Sequence, residues 1–267
     1  MRQENLENMK AWFRDYVAGF FGNDEFVNSN IRMKEQHTWR TCEEILLLAG
    51  QLELSANQQR IAESIALLHD IGRFKQFSQY RTYDDSRSVD HSMLGLEVLA
   101  GTKALRSVDP TESSIIETAI EHHGRKQLPA DLDGQHLFFA RLIRDADKID
   151  ILYTVTEYYE QYHDDPAEFM LQLELPDEPR CSAEVVESIL RGELVDYTIL
   201  RTLNDIKLCR LGWVYDVTFT ATLRRIKQRK FLDKLIDFLP RTQDTQRVKE
   251  KIFAYVDCRL RRNGNND

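Results

Sequence analysis

Glycine and proline are scarce. The 267 residues hold 11 Gly and 6 Pro, about half of average usage. Few chain-breakers mean few turns, which excludes a sandwich or barrel of short strands and predicts long helices. No run of about 18 apolar residues occurs, so the sequence predicts no membrane span. The first segment, MRQENLENMKAWFRDYV, is charged throughout and has no apolar stretch, so it does not read as a secretory signal. The four cysteines, Cys42, Cys181, Cys209 and Cys258, are scattered with no C-x-x-C pair. That pattern predicts reduced, packed thiols in a cytoplasmic protein. Positive charge is short overall: 36 Lys+Arg against 44 Asp+Glu leave a net charge of −8, which disfavours a whole-surface nucleic-acid binder. The deficit is uneven. Residues 224–262 carry 13 Lys/Arg and 5 Asp/Glu, against 23 and 39 in the remainder. Two readings stand: solvated basic faces of amphipathic helices, or a patch for an anionic ligand or acidic partner.

What the chain has is helical periodicity. Apolar residues make up 42% and charged ones 30%, enough for a full core in one or two domains. Leu6 to Phe21 reads as an amphipathic helix with Met9, Phe13, Tyr16, Val17 and Phe20 on one face. A second helix is expected over 29–51. Ser55 is placed to cap a third, with Leu54 as its staple, running through Ile61, Ile65 and Leu68 to His69-Asp70, where Gly72 is expected to close it as a left-handed cap. Residues 73–89 break the period and predict a long loop. Asp90 caps a helix to about Leu99, and Asp109-Pro110 starts another that ends at His122-His123-Gly124. A long helix is expected over 135–162. Pro166 and LPDEP (175–179) make the clearest break, so the sequence divides into 1–165 and a C-terminal helical extension, 166–267. Further helices are expected near 182–191, 196–214, 217–238 and 243–262. No strand is predicted, and the fold class is all-α.

Seven histidines are present. His136 and His163 read as ordinary helix-surface positions. The other five keep more pointed company: His37, His69-Asp70, His91 and His122-His123, joined by the aspartates of RDADKID (Asp145, Asp147, Asp150). Adjacent helix positions point about 100° apart, so His69 and Asp70 cannot face one ion from mid-helix, but a helix end can splay. As the end of an apolar helix, Asp70 would oppose the macrodipole and sit behind Ile61, Ile65 and Leu68, where a lone carboxylate is unfavourable. A bound cation resolves both problems. Asp147 lies on or beside an apolar face and also needs a partner, either a metal or the neighbouring Arg144 and Lys148.

These boxes in order are EQHTWRTCEEIL, LLHDIGRF, DHSMLGLEVL, AIEHHG and ARLIRDADKIDIL. Their order and spacing over about residues 30–155 resemble the HD superfamily of metal-dependent phosphohydrolases, and within it the histidine-rich subgroup with two metals. The resemblance implies metal ligation by His37, His69, Asp70 and Asp147, with Asp70 bridging. It assigns His91, His122 and His123 to a second ion. The text after the paired histidines, HHGRKQLPADLDG, departs from the Asp-Gly-x-Gly-Tyr-Pro box of the cyclic-dinucleotide phosphodiesterases. Met33 stands where three-metal relatives have a glutamate, so at most two ions are expected.

An imidazole-rich donor set favours Mn, Fe, Co, Ni or Zn over Mg. The family chemistry implied is attack by a metal-activated hydroxide on phosphorus in a nucleotide or related small phosphorylated molecule. Asp70, Arg73 and Lys148 are the catalytic candidates. Arg73, Arg81, Tyr83 and Arg87 are the substrate-binding ones, against the plainer readings of solvated loop charge and packed aromatic. Asp90 and Glu121 are placed to orient the neighbouring histidines. An HD-type di-iron oxygenase and a non-catalytic signalling or binding module are the alternatives. No membrane partner is expected; nucleic-acid contact and a homodimer stay open.

Overall fold

The computed structural model of the chain describes residues 1–132, 134–164 and 175–263. Every regular element among them is helical: α1 (Gln3–Ala18), α2 (Glu25–Gln51), α3 (Ala56–Leu68), α4 (Ile71–Tyr80), α5 (His91–Ala100), α6 (Pro110–His122), α7 (Gly134–Asp164), α8 (Ala183–Arg191), α9 (Leu203–Gly212), α10 (Thr220–Gln228), α11 (Phe231–Asp237) and α12 (Gln243–Asn263). Short 3-10 turns intervene at Asp85–Arg87, Tyr197–Ile199 and Trp213–Tyr215. The all-α expectation holds. Among the described residues no helix is long and apolar enough to cross a membrane. The chain forms two compact units, Met1–Asp150 and Ile151–Asp267, which divide within α7. The break expected at Pro166, and the side chain of His163, lie outside the described residues.

In the first unit, local chemistry starts the helices where the sequence places them. Ser55 and Gln58 form a reciprocal capping box on α3. Asp90 accepts from the Ser92 and Met93 amides, and Asp109 from those of Thr111 and Glu112 with Pro110 at the first position. Each cap satisfies amides that the helix itself leaves unpaired. α2 begins earlier than expected because Asp24 accepts from the Val27 amide.

The loop expected over 73–89 is a helix for its first half. Ile71, Phe74 and Phe77 repeat at helical spacing and are fully buried. Phe74 meets Phe13, Tyr16 and Phe20 at 5.8, 6.4 and 6.2 Å between ring centroids, and Phe77 meets Phe26 at 5.7 Å. This aromatic stripe, which the surrounding polar residues mask in the sequence, holds α4 against α1 and α2.

Gly72 is likewise not a left-handed cap; it lies inside α4. Its role is close approach. A Cβ there would fall 2.2 Å from the His91 carbonyl oxygen and 2.6 Å from the Gly95 amide nitrogen, so only glycine lets α4 and α5 touch backbone to backbone.

In the second unit, the helix expected over 217–238 is two. Lys230 takes a left-handed conformation (φ 56°) between α10 and α11. The turn lets Phe231, Leu232 and Leu235 bury independently of Ala221, Leu223 and Ile226. The basic run of 224–262 is distributed over α10–α12 and partly paired: Lys227 with Asp257 at 2.7 Å, Lys234 with Glu160 at 2.9 Å and Arg247 with Asp244 at 3.3 Å.

Gly72→Ala is expected to destabilise the fold by about 3 kcal/mol or more, since neither clashing atom is a side chain that can move aside. Chemical denaturation of the variant checks this, and a loss below about 1 kcal/mol contradicts the backbone contact.

Candidate metal centre

α3 ends at Leu68 and α4 begins at Ile71, so His69 and Asp70 occupy the corner between two helices. The corner frees both side chains from the angular spacing of a single helix. It also corrects the electrostatic expectation for Asp70. The residue stands at the N-terminus of α4, where the helix dipole favours a carboxylate. An aspartate in that position ordinarily caps its helix, yet Asp70 makes no capping bond. Its oxygens face inward, 4% exposed as a residue.

Four histidines from four elements surround that carboxylate. Oδ2 lies 3.5 Å from Nε2 of His37 on α2 and 3.6 Å from Nε2 of His69. Oδ1 lies 3.5 Å from Nε2 of both His91, which opens α5, and His123, which follows α6. The two oxygens of one aspartate therefore address two pairs of imidazoles. Asp147 on α7 joins the first pair, with Oδ1 3.2 Å from His37 Nε2 and 3.7 Å from His69 Nε2. Gly124 admits the ring of His91: a Cβ there would come within 3.1 Å of its Cε1.

The far nitrogen of each ring is anchored. His69 Nδ1 is 2.7 Å from the Ala66 carbonyl and His123 Nδ1 is 2.7 Å from the Ile120 carbonyl, the same fold-back at two helix ends. His37 Nδ1 is 2.6 Å from Asp150 Oδ2, and His91 Nδ1 is 2.6 Å from Asp85 Oδ2. Carbonyls and carboxylates only accept, so all four Nδ1 atoms carry hydrogen. In the neutral rings Nε2 is then a lone pair. His37 and His69 nevertheless bring these atoms to 3.3 Å, and His91 and His123 to 3.0 Å. Paired lone pairs beside carboxylates are repulsive unless a proton or cation lies among them. Asp147 Oδ1 is a buried atom whose neighbours are two of these same Nε2 atoms, those of His37 and His69. This donor set fits divalent cations: His37, His69, Asp70 and Asp147 on one side, Asp70, His91 and His123 on the other.

Titration behaviour follows the same division. Burial and the nearby Lys34 ammonium oppose a proton on His37, but hydrogen bonds to Asp147, Asp150 and Asp70 outweigh them and raise its pKa to about 10. Burial lowers His91 to about 4, with Arg73 and His123 assisting and Asp85 opposing. Burial works against ionising Asp70, yet Lys34 and His69 hold it well below the usual carboxylate range. Asp147, half-buried, is likewise held low against desolvation by His37 and His69.

Several expected residues stand elsewhere. His122 is not in the cluster. It is one helix position from His123 and so points away; its Nε2 is 3.9 Å from Glu121 and its buried Nδ1 has no partner. Arg73 approaches Asp70 Oδ1 to 3.6 Å, but its Nη1 is fixed by Gln76 Oε1, the Tyr83 carbonyl and Asp85 Oδ1 at 2.8, 2.6 and 2.7 Å. Lys148 is buried and turns back to the Arg144 carbonyl at 3.3 Å. Arg81, the left-handed cap of α4, pairs with Asp24 at 2.8 Å. The Tyr83 hydroxyl donates to the Asn30 carbonyl at 2.8 Å and its ring packs 4.6 Å from Phe77. Arg87 is exposed in the turn after α4. Asp90 caps α5, leaving the orienting of His91 to Asp85.

The sequence reading passed over Lys34, whose Nζ is 2.7 Å from Asp70 Oδ2. It also passed over Asp85 and over Arg40, which donates to Asp150 at 2.6 and 3.0 Å. Lys34 and Arg40 lie one turn before and after His37, and that helical spacing was the available signal.

Residues 35–152 match the family model of the HD domain. No curated protein and no solved structure matches the chain.

Asp150→Asn and Asp85→Asn should each weaken divalent-ion affinity about 10–100-fold, because each loosens the tautomer and orientation of its histidine; calorimetric titration of the metal-free chain measures this. A ligand imidazole must be neutral, and His37 holds its proton to about pH 10. Ion binding should therefore release a proton, and affinity should rise between about pH 6 and 9. Titrations in buffers of different ionisation enthalpy read the proton directly, and a pH-independent affinity contradicts the charge state of His37.

Proposed function

We propose that the chain, whose residues 35–152 match the HD domain, is a metal-dependent phosphohydrolase. The proposed activity is that of a phosphodiesterase or phosphatase on a nucleotide or related small phosphorylated molecule. The observation that carries the reading is the Asp70 carboxylate, whose Oδ2 faces His37 and His69 while Oδ1 faces His91 and His123. One aspartate shared between two imidazole pairs suits a bridged pair of transition-metal ions. Such ions would supply Lewis acidity and a water acidified to nucleophilic strength at neutral pH.

The remaining work belongs to the chain. His69 and His123, tied to Ala66 and Ile120, present lone pairs from helix ends that cannot rotate away. Asp150 and Asp85 hold His37 and His91 in the matching tautomer. Arg73 is a positioning residue: its guanidinium joins the segment after α4 to Asp85, and through Asp85 to His91. Its charge, 3.6 Å from Asp70 Oδ1, also favours anionic oxygens near the second imidazole pair.

Metal analysis of freshly purified protein, then a panel of nucleotides and phosphodiesters with Mn, Fe, Co, Ni and Mg, tests the reading. Asp70→Ala should lower kcat/KM by about a thousandfold or more and remove bound metal, with helical circular dichroism unchanged. His123→Ala should retain metal only in the His37–His69 half. Wild-type turnover by Asp70→Ala removes this site from the chemistry.

A further inference from the structure

We propose that Lys34 is the cation that receives the substrate's phosphoryl oxygen at this site, and that its ammonium rests on Asp70 until divalent ions take over that carboxylate. The proposal rests on the hydrolase reading and adds to it a residue outside the imidazole and carboxylate set.

Lys34 precedes His37 by one turn of α2, so both side chains leave the same helix face. Its Nζ is 2.7 Å from Asp70 Oδ2 and 5.4 Å from the centroid of the Tyr83 ring. Its side chain is 16% exposed, against 5% for that of Asp70, so it reaches the carboxylate from the solvent side. Among the described contacts its ammonium donates to Asp70 alone. An ammonium has three donors, so two remain available for another acceptor. Of the other cations expected at the site, Arg81 pairs with Asp24 and Lys148 turns back to the carbonyl of Arg144, while Arg73 faces the other oxygen, Oδ1, with its Nη1 held by three acceptors.

The partner of Lys34 is the same oxygen that faces His37 and His69. Divalent ions on this carboxylate would cancel the charge that holds the ammonium and would repel it. The nearest compensating charge is then an anion bound beside those ions. Charge-assisted bonds from an ammonium to phosphoryl oxygens are strong and tolerant in geometry.

Two consequences of opposite sign follow. Removing Lys34 removes a competitor, so divalent ions bind more tightly. It also removes the anion's partner, so phosphate binds more weakly. A merely structural lysine would weaken both when lost.

The test uses the full chain stripped of metal, as wild type, Lys34→Met and Lys34→Arg. Mn(II) alone is titrated first, then inorganic phosphate into the Mn-loaded proteins. Lys34→Met should bind Mn(II) about tenfold more tightly and phosphate about 10–100-fold more weakly. Lys34→Arg, which keeps the charge, should stay close to wild type in both. If Lys34→Met does not fold, Lys34→Gln carries the same two measurements. Mn(II) affinity that is unchanged or weaker, or phosphate affinity within about twofold of wild type, overturns the proposal. Both readouts are binding measurements, so they stand when the ester panel shows no turnover. A chain that hydrolyses esters while Lys34→Met binds both probes as wild type does overturns the Lys34 assignment alone.

Discussion

The Asp70 carboxylate is the group on which the first unit is organised. Each of its oxygens meets two imidazoles and one cationic side chain, Lys34 on Oδ2 and Arg73 on Oδ1. A buried carboxylate without such company would be protonated or would destabilise the fold. Its position depends on a backbone event, the break between α3 and α4 at His69-Asp70. Placing the other histidines around it depends on close approach. Gly72 lets α5 come into backbone contact and so brings in His91, and Gly124 leaves room for that ring.

Around this centre the structure solves a tautomer problem four times. Each ring is tied by Nδ1 to an acceptor, and each Nε2 is left facing the carboxylates. At two helix ends the acceptor is a carbonyl of the last turn, one of those that a helix leaves unpaired. At the other two it is an aspartate backed by a cation, Asp150 with Arg40 and Asp85 with Arg73. The second arrangement spreads charge outward, so a dense set of ionisable groups lies inside a helical core without an isolated buried charge. It also separates the histidines chemically. Hydrogen bonds to three carboxylates raise the pKa of His37 against its burial, whereas burial, assisted by Arg73, lowers that of His91.

Much of this was legible in the residues. The caps at Ser55, Asp90 and Asp109 act on amides two or three positions away, so their chemistry is contained in a few letters. The stripe of Met9, Phe13 and Val17 is likewise local, and all three are buried. The reading failed where the signal was not local. Residues 73–80 carry so many polar side chains that the Ile71–Phe74–Phe77 stripe is masked until Phe13 and Phe26 are seen against it. His122 and His123 are adjacent letters, and only the direction of the end of α6 separates the one in the cluster from the one outside it. Arg81 follows the HD box closely in sequence, but the end of α4 turns it to Asp24, and the Tyr83 hydroxyl is spent on the Asn30 carbonyl.

By itself the sequence determined that the chain is helical, where most helices begin, and that histidines and aspartates recur in an order suited to holding metal. Those properties come from composition, periodicity and short-range hydrogen bonding. Tertiary structure alone decided which member of each pair reaches the centre, that Asp85 rather than Asp90 orients His91, and that Lys34 lies on Asp70. Those choices turn on differences of one or two ångströms between helices distant along the chain. Such distances are set by how side chains and backbones pack, as at Gly72, and no residue carries them alone.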